Sequence, residues 1–290
     1  MKPLFLLPLV FLLVYGLGGC GKGASSSKAP VSFSQLWASD SVLRTPESVL
    51  FDSQRQVIYV SNINKVNKTG KDGDGFLSRL SANGEIRDLY WVSGFNDPKG
   101  MGLYNDVLYV ADLTEVVAVS VASGSVLGRY TMPGVQAFND VTVDRTGNVF
   151  ISDPDGGKIY RFNNGQLSMW SDNAAGHKPN GLLAEETRLL SAWMDAGQVK
   201  TVNWQTKAAS DWVSGIPSTD GIAAAGNNDY FVSNWNGEVY YINAAGKLWK
   251  VLDTKDQKSN TADIDFSVAT QTLYVPTFYN NRVVAYRLSR

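Results

Sequence analysis

From residue 33 onward, apolar and polar positions alternate with period two and the helical period is weak, so the pattern predicts strands. One phrase recurs: an apolar or aromatic pair, an apolar or small residue, and then an end that is most often Asn, Asp or Trp. It reads Ile58-Tyr59-Val60-Ser61-Asn62, Leu108-Tyr109-Val110-Ala111-Asp112 and Val149-Phe150-Ile151-Ser152-Asp153. It returns as Leu189-Leu190-Ser191-Ala192-Trp193, Tyr230-Phe231-Val232-Ser233-Asn234 and Leu273-Tyr274-Val275-Pro276-Thr277. These six copies stand roughly 40 to 50 residues apart, the spacing of β-propeller blades. A second alternating strand follows each copy, as in Lys158 to Phe162, Glu238 to Ile242 and Arg282 to Tyr286. Turn pairs such as Asn83-Gly84, Ser123-Gly124, Asn164-Gly165 and Ala245-Gly246 come next, where Asn and Gly tolerate the positive φ of a tight hairpin. An outer strand then closes the unit, as in Gln166 to Trp170 or Ala208 to Trp212.

The sixth copy reaches Arg290 without an outer strand, whereas Phe33 to Trp37 reads as an outer strand without a blade. The expectation is an all-β fold, one six-bladed β-propeller over 31–290, with this N-terminal strand completing the last blade and removing exposed sheet edges. Two β-sandwiches would leave both the period and the orphan strand unexplained. The longest gap, Asn62 to Gly75, reads as an inserted loop that could shape access to one face of the ring.

Met1-Lys2-Pro3, an apolar run from Leu4 to Leu17 and Gly18-Gly19 have the form of a secretory signal, 1–19, too short to span a bilayer. Leu17-Gly18-Gly19-Cys20 resembles the bacterial lipobox, which implies a lipid-modified Cys20. An ordinary signal with an incidental Cys is the alternative. Residues 20–30, rich in Ser, Gly and Lys, read as a flexible tether. Gly21 rather than Asp after the Cys implies, by the rule for such lipoproteins, an outer-membrane anchor facing the periplasm of a bacterial envelope. The lipid would be the only contact with the membrane.

Composition narrows the chemistry. One Cys excludes an intramolecular disulfide or a cysteine-rich zinc site, and one His excludes chemistry that needs two imidazoles. A net charge of −1 offers no basic field for nucleic acid. No Gly-x-Ser-x-Gly is present, and His177, in a loop of Ala, Gly and Lys, would be the only imidazole base for a serine hydrolase. Lys71-Asp72-Gly73-Asp74-Gly75 lacks the distal Glu of a calcium-binding EF-hand loop and reads better as a turn. Most Trp and Tyr repeat with the blades and read as core; Trp193 and Trp235, at the variable end of the phrase, could instead wall a pocket.

In a propeller, the residues just before each innermost strand converge at one end of the central channel. Here they are Glu47, Lys99, Asn139 with Asp140, Asn180, Asp220 and Asp263, every one charged or carrying an amide. Turn formation explains any one of them. Six convergent polar positions point further, because clustered carboxylates hold their protons unless a cation lies between them. Oxygen donors favour a hard divalent ion, Ca²⁺ first, with Mg²⁺, Mn²⁺ or Zn²⁺ as alternatives.

Pro46-Glu47-Ser48-Val49, Pro179-Asn180-Gly181-Leu182 and Thr219-Asp220-Gly221-Ile222 resemble the first-, fourth- and fifth-blade motifs of the SMP-30/gluconolactonase/LRE family. The resemblance implies one divalent cation held by Glu47, Asn180 and Asp220. Phe138-Asn139-Asp140 resembles the third-blade motif whose Asn lines the substrate pocket. It further implies a metal-dependent hydrolase that opens a lactone or ester, with Asp220 as general base on water and Asn139 and Asn180 binding substrate; Lys99, on its charge and outside the matched motifs, is a further candidate for binding substrate. One departure stands out: regucalcin-type lactonases carry an Arg two residues before that Asn, and here the residue is Ala137, with Lys99 the nearest substitute charge. The rival expectation is a non-catalytic, surface-tethered propeller that binds a small ligand or a protein partner around a structural cation.

Overall fold

The computed structural model describes residues 1, 28–65, 71–172 and 174–290. The signal segment, Cys20 and most of the tether lie outside the described residues. The described residues form six four-stranded antiparallel sheets arranged as the blades of a propeller. The innermost strands are Pro46–Asp52, Pro98–Tyr104, Val141–Val143, Pro179–Ala184, Thr219–Gly226 and Asp265–Ser267, in blades one to six. The recurring phrase forms the second strand of every blade. No helix among the described residues is long and apolar enough to cross a membrane.

Ser32–Ala38 supplies the outer strand of the sixth blade, paired antiparallel with Val283–Ser289 from Ser32 opposite Ser289 to Ala38 opposite Val284. Its inward rings fasten it: Phe33 lies 5.1 Å from Phe231, and Trp37 lies 6.1 Å from Tyr274. Taking such a side chain out of water is worth about 1.5–3 kcal/mol. Elsewhere the core lies between neighbouring blades. Tyr59, Leu77 and Phe95 of the first blade meet Met101, Leu108 and Val110 of the second. Phe231 and Tyr241 of the fifth meet Phe266 and Tyr286 of the sixth. The aromatic positions of the phrase are therefore spent on these layers.

The polar end of the phrase has its own task. The hydroxyls of Ser61, Ser152 and Ser233 accept the N–H of Ser48, Asp140 and Gly221 at 3.0, 2.9 and 2.9 Å. One residue further on, Asp112 accepts the N–H of Asn96 and Asp97 at 2.8 and 2.7 Å, and Asp153 those of Gln136 and Ala137, each at 3.0 Å. Asn62 does the same for Arg44 at 3.0 Å. Trp193 cannot accept, and Asp195, two residues later, takes the N–H of Lys178 at 2.8 Å instead. Each clamp holds the loop that enters its own blade's innermost strand.

That strand differs in one respect from the sequence expectation. Glu47, Lys99, Asn180 and Asp220 are not ahead of their strands but are the second residue of each. The register shifts immediately after Pro46, Pro98, Pro179 and Thr219, so these side chains leave the ladder at a bulge. Asn139 with Asp140, and Asp263, do precede their short strands. Glycine at 181 and 221 permits the crowding at the axis: a Cβ on Gly181 would fall 2.0 Å from the Asp220 carbonyl oxygen, and one on Gly221 2.3 Å from Asp263. The inserted loop is likewise shorter than expected, because Asn62 and Gly75 belong to strands; its centre, 66–70, lies outside the described residues.

Candidate active site at the channel mouth

A cavity of about 410 Å³ opens where the innermost strands begin. Its polar lining is Glu47, Asp97, Lys99, Asn139, Asn180, Ser218 and Asp220. Its apolar lining is Ile63, Met194, Trp235, Phe278 and Tyr279. The five residues expected to bind metal or substrate, Glu47, Lys99, Asn139, Asn180 and Asp220, thus border one cavity.

Their electrostatics are unsatisfied. Glu47, Asn180 and Asp220 are buried, with exposures of 5, 2 and 4%. Glu47 Oε2 and Asn180 Oδ1 reach no hydrogen-bond partner. Burial pushes the Glu47 carboxyl well above the ordinary glutamate value; the Lys99 charge opposes this, while Asp220, Asp97 and Asp140 add to it. Burial raises Asp220 to about 7, against the Lys99 charge and a hydrogen bond from the Asn180 amide. Lys99 itself lies 3.5 Å from Asp97, so part of its charge is already answered.

Asp140 and Asp263 do not border the cavity. Asp140 Oδ1 accepts the Val141 N–H at 2.6 Å, and its Oδ2 accepts the Leu182 N–H of the next blade at 2.5 Å. Asp263 Oδ2 accepts the Ser48 hydroxyl at 2.6 Å and so ties the sixth blade to the first. Burial lifts Asp140 to about 7 and Asp263 well above the aspartate range.

Among the described residues, no three carboxylate, imidazole or thiol groups gather as a metal-binding set. What gathers here is two carboxylates and one amide. A buried oxygen without a partner costs about 1–3 kcal/mol. Two such atoms, on Glu47 and Asn180, beside the proton-hungry Asp220 carboxylate make a hard-oxygen set that a divalent cation would satisfy.

The aromatic expectation divides. Trp235 borders the cavity; Trp193 does not, being 6% exposed and stacked under His177 at 4.6 Å. His177 Nδ1 lies 2.9 Å from Asp195 Oδ2, and neither residue borders the cavity. In the insert, Asp74 lies 3.7 Å from Lys65 and accepts the Asn64 amide through its carbonyl at 3.2 Å, as a turn does. Sequence reasoning missed Asp97, Ser218, Ile63, Met194, Phe278 and Tyr279. The signal for three of them was present: Ile63, Met194 and Phe278, like Trp235, each directly follow the recurring phrase.

Neither a family model nor a curated protein matches the chain in sequence. Solved structures do match in shape. A gluconolactonase from Xanthomonas campestris superposes with a TM-score of 0.66 at 18% identity, over 84% of this chain and 86% of that one. A catalytically inactive virginiamycin B lyase from Staphylococcus aureus, solved with quinupristin, gives 0.64 at 11% identity, over 89 and 99%. A Bacteroides thetaiotaomicron protein of unknown function gives 0.70 at 8% identity, over 89 and 76%. At these identities the likeness establishes the six-bladed propeller and leaves the chemistry to the site.

Proposed function

We propose that this chain is a metal-dependent hydrolase of the gluconolactonase type, related to the SMP-30/gluconolactonase/LRE propellers, that opens a lactone or ester at the channel mouth. The observation that carries the reading is the pair of buried, partnerless oxygens, Glu47 Oε2 and Asn180 Oδ1, beside Asp220 in one cavity. Glu47, Asn180 and Asp220 would hold one divalent cation, Ca²⁺ first, with Mg²⁺, Mn²⁺ or Zn²⁺ as alternatives. Such an ion, when bound, would polarise the carbonyl and acidify water. The remaining work falls to the chain. Asp220 takes a proton from the attacking water as the new carbon–oxygen bond forms. The ring or ester carbon–oxygen bond then breaks, and the departing alkoxide recovers that proton. Asn180 fixes the Asp220 carboxylate, and Asn139 and Lys99 orient the substrate from the polar lining.

Purified protein should open lactones or aryl esters with Ca²⁺, Mn²⁺ or Zn²⁺ present and lose that activity on chelation. Asp220→Ala should cost about 10²–10⁴-fold in kcat/KM. A broad panel without turnover would leave the non-catalytic binding platform, a reading that Ala137 favours because no arginine stands there. We further propose that Cys20 carries a lipid anchoring the ring to the outer membrane, testable by labelling with a radioactive fatty acid and by its loss in Cys20→Ser.

A further inference from the structure

Resting on that hydrolase reading, we infer that the non-reacting part of the substrate is uncharged and aromatic or otherwise apolar, and that Trp235, Phe278 and Tyr279 select it. The cavity has two unlike kinds of lining. Its polar groups, Glu47, Asp97, Asn180 and Asp220 with Lys99 and Asn139, are committed to the cation and the reacting carbonyl, so a charged substituent would have to lie against the apolar lining without a partner. That apolar lining includes an aromatic corner. The Trp235 and Phe278 rings meet edge to face at 4.5 Å and 79°, and Phe278 and Tyr279 at 4.8 Å and 85°.

This corner is built, not incidental. Phe278 is 4% exposed and packs with Ile63 and Ala262 beneath Trp235. The Trp235 backbone is held on both sides: its N–H donates to the Ser218 carbonyl at 3.0 Å, and its carbonyl accepts the Asn260 amide at 2.7 Å. Tyr279 stands 60% exposed at the outer edge, where a ligand ring could slide between it and the mouth. A rigid aromatic surface facing a cavity of about 410 Å³ gives an apolar group area without a further ordering cost. A polyhydroxylated ring would have to shed water from its hydroxyls against that surface and find few replacements.

The test compares dihydrocoumarin, an aryl lactone, with δ-gluconolactone, a polyhydroxylated one, in the cation-loaded full-length protein. The expected ratio of kcat/KM, aryl over sugar, is roughly tenfold or more. Trp235→Leu should bring the ratio toward one, chiefly through KM, and Tyr279→Ser, at an exposed position, should lower it without threatening the fold. Calorimetric titration with 3,4-dihydroquinolin-2-one, the lactam that resists hydrolysis, gives a readout independent of turnover: it should bind the wild type and weaken in Trp235→Leu. A ratio at or below one, or a ratio unmoved by both variants, overturns the inference while the hydrolase reading stands. If neither lactone is opened but the lactam binds through Trp235, the hydrolase reading falls and the ligand class stands. If the lactam does not bind either, the inference falls as well.

Discussion

Asp140 and Asp265, off the cavity, each give both carboxylate oxygens to backbone N–H groups: Val141 and Leu182 for the one, Phe266 and Phe51 for the other. Glu47 and Asn180, at the mouth, each keep a buried oxygen with no hydrogen-bond partner among the described residues. Both sets lie near the same axis, and burial raises the acids of both. The difference is in what completes them. The acids off the cavity are completed by the chain and join blade to blade. The groups at the mouth are left with acceptor capacity that the proposed cation would use. Burial and a raised proton affinity are therefore common to the acids of both sets, and what distinguishes Glu47 from Asp140 and Asp265 is an oxygen without a partner that also borders a cavity.

The sharpest way to break this distinction is to remove one acid from each set. Asp140→Ala leaves the N–H groups of Val141 and Leu182 without acceptors and should cost about 3 kcal/mol in urea denaturation. Glu47→Gln should leave metal-free stability nearly unchanged, since a neutral amide replaces a carboxyl that burial already drives toward its protonated form, while abolishing the rise in melting temperature on adding Ca²⁺. Equal losses in the two variants would erase the contrast.

A pH series sharpens it further. Asp140 and Asp220 sit at about 7 in the fold, above the ordinary aspartate value near 4. Between those limits the native chain holds more protons than the unfolded one, so this stability is full below pH 4 and is lost as pH rises through about 7. In chelator, the melting temperature should fall from pH 5 to pH 8; with saturating Ca²⁺ the part due to Asp220 should vanish and the part due to Asp140 persist. Glu238 does not blur this window, because Lys255 and Lys250 hold it, despite its burial, down to about 2.

The smallest effect should come from the clamps. Ser233→Ala removes the acceptor for the Gly221 N–H at 2.9 Å, directly after Asp220. It should cost about 1 kcal/mol by denaturation, and it should lower cation affinity more than a comparable change away from the channel.

The blades could be read from the chain because alternation and the recurring phrase report burial between sheets directly, and Phe33 to Trp37 could be assigned to the last blade for want of any other. The mouth residues were legible by position, as one residue per innermost strand. The apolar wall was less so. The place after the phrase holds Ile63, Met194, Trp235 and Phe278 in four blades but Leu113 and Pro154 in the other two, so no single residue type marks it. Trp193 and Trp235 differ in place, the first ending the phrase and the second following it, and the ring at the earlier place stacks with His177 while the later one borders the cavity. The partnered and partnerless acids look alike in sequence, because backbone N–H directions set at a bulge decide between them.

The strand Ser32–Ala38 has a consequence in time. It pairs with the final strand, Ser32 against Ser289, so the ring's last joint unites the first residues of the propeller with its last. Five blades can assemble as their hairpins emerge, each from neighbours in sequence. The sixth cannot be completed until synthesis has delivered the far end, and until then the Phe33 and Trp37 positions have no sheet to join. A truncation near Arg290 should therefore be felt first at residue 33.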